Sequence, residues 1–161
     1  MRLRLTVTNV LSFSKTAPIN TDVQTFLNRL HRLNLDPIAR KISHPSGEGW
    51  SQAATEMAIA NYRRFLYLIF LYPEVSLVPT LEIDRVWHAH VLSTRKYATD
   101  MQYLFGEFLH HDPAFGTRGD EDHQRWQTAF QVTKALFQEH FGAEAWDEMT
   151  EDPGACEPLG F

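Results

Sequence analysis

Residues 51–72 read SQAATEMAIANYRRFLYLIFLY. Within them Ala54, Met57, Ala58, Tyr62, Phe65, Leu66, Ile69 and Phe70 recur at three- and four-residue steps. That spacing places them on one broad face of a helix and excludes the alternation of a strand. Ser51 is a good N-cap type, and Pro73 cannot continue the helix because it lacks an amide proton. The spacing predicts the longest helix of the molecule here, starting at Trp50 or Ser51, with the others arranged around it.

The same periodicity recurs on both sides. Val23, Phe26, Leu27, Leu30 and Leu33 mark a helix beginning after Asn20 or Thr21, and Pro37 restarts a short helical piece to about Ile42. His44 to Gly49 is turn chemistry. Thr80 can cap a helix carrying Leu81, Ile83, Val86, Trp87, His90 and Val91, and Ser93 or Thr94 recaps the chain for a helix from Arg95 to about Leu109. A last long helix is expected from about Glu121 to His140, ended by Gly142. Only Arg2 to Thr8 alternate with period two, which suggests one short strand or arm. The fold class is therefore all-α: a single-domain helical bundle or orthogonal array over residues 1–150, with a short N-terminal strand and a loosely held Pro/Gly-bearing tail at 151–161.

The chain has 161 residues, with 15 Lys+Arg against 20 Asp+Glu, a formal net charge of −5. A negative balance argues against nucleic acid as a partner, because phosphate binding rests on clustered cations. The best apolar run, Phe65 to Tyr72, falls short of the ~18 residues that a membrane span needs. A single cysteine, Cys156, excludes an intrachain disulfide and any multi-cysteine metal site. With no hydrophobic leader after Arg2 and Arg4, the chain reads as an unprocessed cytoplasmic protein. There is no Gly-rich phosphate loop and no Gly-x-Ser-x-Gly elbow, so covalent hydrolase chemistry is disfavoured.

Chemistry concentrates in the histidines: five of the eight fall between His88 and His123. In Ile83-Asp84-Arg85-Val86-Trp87-His88-Ala89-His90, Asp84 and His88 stand one turn apart, with Cβ atoms about 5 to 6 Å apart on one face. His90 points away from His88 and shares a stripe with Ile83 and Trp87, as a packed histidine bonded through a ring nitrogen would. Leu109-His110-His111-Asp112-Pro113 supplies two more imidazoles at a helix end. Asp84, His88 and one or both of His110 and His111 would give a mixed N/O donor set suited to Zn²⁺, Fe²⁺ or another divalent ion, with an open position for water or substrate. Tyr97 and Asp100, three apart on the next helix, are the candidate catalytic proton-transfer pair. The bland reading stands beside this one: Asp84 as a helix-start acid paired with Arg85 or Arg63, and the histidines as caps or solvated groups. Arg63 or Arg64 reaches inward to Asp84, Asp100 or an anionic substrate group, or pairs at the surface with Glu56 or Glu74.

Three ordered motifs, Tyr62-Arg63-Arg64-Phe65-Leu66, the Asp84–His90 segment with its Trp-His-x-His, and Phe105-Gly-Glu-Phe-Leu-His-His-Asp-Pro113, resemble the glycine-rich domain-containing protein-like family. The resemblance covers about residues 61–119 and continues more weakly to Gly142. With 8 glycines and no glycine-rich region, the chain looks like the short, bacterial-type, stand-alone helical form. Plant relatives are associated with development and stress responses, and the resemblance brings no reaction with it. It does imply that Asp84, His88, His90, His110 and His111 act together as a metal-ligand set. Two functional readings follow. One is a helical domain with a His/carboxylate divalent-metal site, acting as a metal-dependent enzyme on a small molecule. The other is a non-enzymatic interaction or regulatory module, in which the His/Asp/Trp cluster is a structural polar network and an exposed groove binds a peptide or partner protein. Pairing of the Arg2–Thr8 strand with a second copy would make a homodimer.

Overall fold

Ser51 begins the central helix by accepting a hydrogen bond at its Oγ from the amide of Ala54, 3.2 Å away. The helix it starts, α3 (Gln52–Leu71), buries Ala58, Tyr62, Phe65, Leu66 and Leu68. A computed structural model describes residues 22–149, and in them six other helices accompany α3: α1 (Val23–Arg32), α2 (Asp36–Ser43), α4 (Leu81–Leu92), α5 (Thr94–Phe105), α6 (Asp120–Phe141) and α7 (Ala143–Asp147). No strand occurs among the described residues, so the all-α class holds. The expected strand at Arg2–Thr8, the dimer built on it, and the tail at 151–161 all lie outside them.

α4 packs against α2, α3 and α5; α1 lies across α3 and α5; and α6 rests on α3 and carries α7. A continuous core runs between them from Phe26 and Ile38 through Phe65, Ile83 and Met101 to Phe137 and Trp146. Each large aliphatic or aromatic side chain fully buried there contributes about 1.5 to 3 kcal/mol relative to solvent exposure.

Five local features differ from the sequence-based expectation. The longest helix is α6, with 22 residues, and not α3, with 20. The cap of α1 is Asp22, whose Oδ1 accepts from the Thr25 amide at 2.9 Å. α5 stops at Phe105, four residues short of Leu109, because Gly106 adopts the left-handed conformation at φ 75° and turns the chain out of the helix. His110 and His111 therefore lie in an irregular segment. Arg63 reaches neither Asp84 nor Asp100; its guanidinium donates to the carbonyls of Leu30 and, at 2.7 Å, Leu33, closing the C-terminal end of α1. Arg64 donates to Asn61 Oδ1 at 2.8 Å and lies over the Phe141 ring.

The loop between α5 and α6 is built around Asp122, whose Oδ2 accepts from the amides of Gly116 at 2.7 Å and Arg118 at 3.2 Å. Gly116 has φ 93°, and a Cβ there would fall 2.7 Å from Trp126 Cγ, so only glycine fits. This loop follows directly on the His110–Asp112 segment and fixes where that segment can run.

Candidate metal centre

Asp84 sits in the first turn of α4, 4% exposed, where the positive end of the helix dipole favours its carboxylate. His88 follows one turn later, with Nδ1 3.8 Å from Asp84 Oδ2, beyond hydrogen-bond distance. His111 arrives from the segment after α5 and places Nε2 2.9 Å from Asp84 Oδ1. The two imidazole rings stand 4.6 Å apart. One donor atom from each of Asp84, His88 and His111 lies within 4.8 Å of the other two, a set that can hold a metal ion.

Helix spacing alone brings Asp84 and His88 together, whereas His111 needs a second device. Tyr97 supplies it from α5: its hydroxyl donates to the Leu109 carbonyl at 2.6 Å and accepts from the Trp87 indole N–H at 3.0 Å. The Trp87 ring meets the His111 ring edge-on, with centroids 4.3 Å apart. Trp87 and Tyr97 thus tie the segment carrying His111 back to the helix carrying Asp84 and His88.

Burial holds the His88 imidazole below its ordinary value; the Asp84 carboxylate opposes this, while His111 and Arg85 add to it. His88 is therefore neutral at neutral pH, the form that ligates metals.

The remaining candidates are placed elsewhere. His90 faces the opposite side of α4, fully buried, with Nδ1 2.9 Å from the Tyr62 hydroxyl and Nε2 2.8 Å from Asp100 Oδ2. Lys96 closes that chain at 2.8 Å from the same Asp100 oxygen. Asp100 thus belongs to an internal Tyr62–His90–Asp100–Lys96 network and is not among the three grouped donors, and neither is His90. Burial lowers the His90 pKa against the pull of Asp100, raises Tyr62 well above its usual value, and raises Tyr97 to about 12. With its hydroxyl engaged on both sides, Tyr97 holds the fold around His111. His110 is exposed against the Phe108 ring and stands outside the three. The support given by Trp87 and the Leu109 carbonyl was not readable from residue types. The nearest signal was the Trp-His adjacency in α4.

Asp84, Trp87, His110 and His111 also line a cleft of about 1230 Å³, whose other walls are residues 72–79 and α6. The centre therefore adjoins a large open space. No helix among the described residues is long and apolar enough to cross a membrane.

Comparison with known proteins agrees with the motifs. A stretch of 93 residues, 55% of the chain, is 40% identical to glycine-rich domain-containing protein 1 of Arabidopsis thaliana and covers 11% of that protein. Glycine-rich domain-containing protein 2 of the same plant is 37% identical over 93 residues, 12% of its length. The chain thus matches about a tenth of the length of these curated relatives. No solved structure matches it. The sequence profile of the UCP032817-like family matches residues 29–136, a span that contains Asp84, His88 and His111. The chain belongs to the UCP032817-like family, and its resemblance to the glycine-rich domain-containing proteins is that of a relative.

Proposed function

We propose that Asp84, His88 and His111 form a divalent metal site, and that the protein is a metal-dependent enzyme whose substrate enters from the adjoining cleft. One observation carries this reading: three donor atoms from two separate segments converge within 4.8 Å of one another. Around a tetrahedral ion with ligand bonds of about 2.0 to 2.1 Å, donors stand about 3.3 Å apart. Two imidazoles and one carboxylate suit Zn²⁺ or Fe²⁺ and leave coordination positions for water or a substrate oxygen. When bound, such an ion would supply Lewis acidity. The chain's own contribution is a buried carboxylate, a neutral His88, and the Trp87–Tyr97 tie that orients His111.

Titration of metal-free protein with Co²⁺ tests the reading through its visible absorption bands. One equivalent should bind, and binding should be lost in His88→Ala and fall at least tenfold in Asp84→Asn. Co²⁺ spectra indistinguishable between wild type and both variants would overturn it.

A second reading rests on the Asp84–His111 hydrogen bond at 2.9 Å: the three side chains form a structural polar network in a non-enzymatic interaction module. Under that reading chelators leave the melting temperature unchanged, and His88→Ala lowers it.

A further inference from the structure

The long side of the cleft is α6, and its residues there follow a strict geometry. Glu121 and Glu139 are 18 residues apart, which at 3.6 residues per turn is five full turns. Both therefore project from the same face, about 27 Å apart. Between them on that face lie half-buried Val132 and Leu136, and Trp126 adds an aromatic surface beside them. Across the cleft the 72–79 segment contributes Leu77 and the exposed acid Glu74. The result is a groove with an apolar floor, about five helical turns long.

Its charges are unbalanced. The two arginines on its walls each face an aspartate, Arg118 with Asp112 at 2.5 Å and Arg125 with Asp122 at 3.6 Å. Glu74, Glu121 and Glu139 are exposed. At about 1230 Å³ the cleft exceeds the usual range of small-molecule pockets, roughly 300 to 1,000 Å³. An apolar floor of helical length, with carboxylates at both ends and across from it, matches a helix whose apolar stripe lies down and whose lysines or arginines reach the rim.

We infer that this groove docks a basic amphipathic helix of a partner protein, with Glu74, Glu121 and Glu139 selecting for its cations. The inference stands on the groove alone and needs no metal at Asp84.

The probe is a 20-residue peptide of leucine and lysine, with leucines at i, i+3, i+4 and i+7, added to the full chain. A peptide with glutamate in place of lysine is the control. The lysine peptide should bind, and carbodiimide coupling should join its lysines to Glu74, Glu121 and Glu139. The triple variant Glu74→Lys, Glu121→Lys, Glu139→Lys should weaken binding by about tenfold or more, since exposed pairs each add a modest amount. Because all three side chains are exposed, this variant keeps the fold, checked by its circular dichroism and melting temperature. Val132→Arg should block the floor in the same assay. Equal binding of the glutamate peptide, or unchanged affinity in the triple variant, overturns the inference. So does coupling of these glutamates to Lys15, which assigns the groove to the chain's own first residues.

Discussion

His90 is a basic group buried without solvent, and its environment decides its charge. Asp100, which could hold it protonated, is already met by Lys96 at 2.8 Å, and burial prevails in lowering the His90 pKa. A histidine whose pKa in the fold lies below its unfolded value of about 6.5 binds fewer protons when folded. Its contribution to stability is therefore full above about pH 6.5 and is lost as pH falls through that value toward the folded pKa. Melting temperatures measured between pH 7.5 and 5 should fall with acid, and His90→Gln should flatten that dependence. An unchanged slope in the variant would show that His90 takes up its proton in the fold as it does in the unfolded chain. Tyr62→Phe leaves His90 Nδ1 without its partner at 2.9 Å and should cost about 1 to 3 kcal/mol in chemical denaturation. The orientation of His90 was legible beforehand, since positions 88 and 90 of a helix point apart. That its partners would be Tyr62 and Asp100 was not, because those contacts cross between helices.

Among the elements, α3, α4 and α6 were legible because each carries an apolar stripe over several turns with a cap or breaker at its ends. α7 has five residues, fewer than two turns, and leaves no period to read. Apolar residues continue to Leu109 and point to a longer α5, yet the left-handed Gly106 overrides them. That one conformation decides the site, since it releases the segment that returns His111 to Asp84. Tyr97→Phe removes the hydroxyl that holds Leu109 and should speed amide exchange across residues 107–112, with a loss of about 1 kcal/mol in stability. Exchange as slow as in wild type would mean that Trp87 packing alone holds the segment. Gly116→Ala forces a Cβ to within 2.7 Å of Trp126 Cγ at a positive φ, and should cost about 1 to 3 kcal/mol, read as a lowered melting temperature. A melting temperature equal to wild type would show that the loop re-forms around the methyl group.

For the molecule as a whole, helical periodicity set the fold class and left the site open. Spacing named Asp84 and His88 as a pair, the helix-end histidines His110 and His111 were offered as their companions, and the family resemblance added His90. Tertiary packing divides those five: Asp84, His88 and His111 meet beside the cleft, His90 joins the internal network, and His110 lies exposed on the cleft wall. A ligand that binds only the folded state stabilises it by mass action, by about 2.7 kcal/mol at a hundredfold excess over its dissociation constant. Zn²⁺ or Fe²⁺ at saturation should therefore raise the melting temperature of wild type and leave that of His111→Ala unmoved. The most direct measurement is the metal content of tag-free protein from metal-supplemented medium, by mass spectrometry, before and after chelation and in His88→Ala. A metal site at Asp84, His88 and His111 predicts close to one ion per chain, lost on chelation and absent from the variant. Wild type without bound metal, or His88→Ala with as much as wild type, contradicts it.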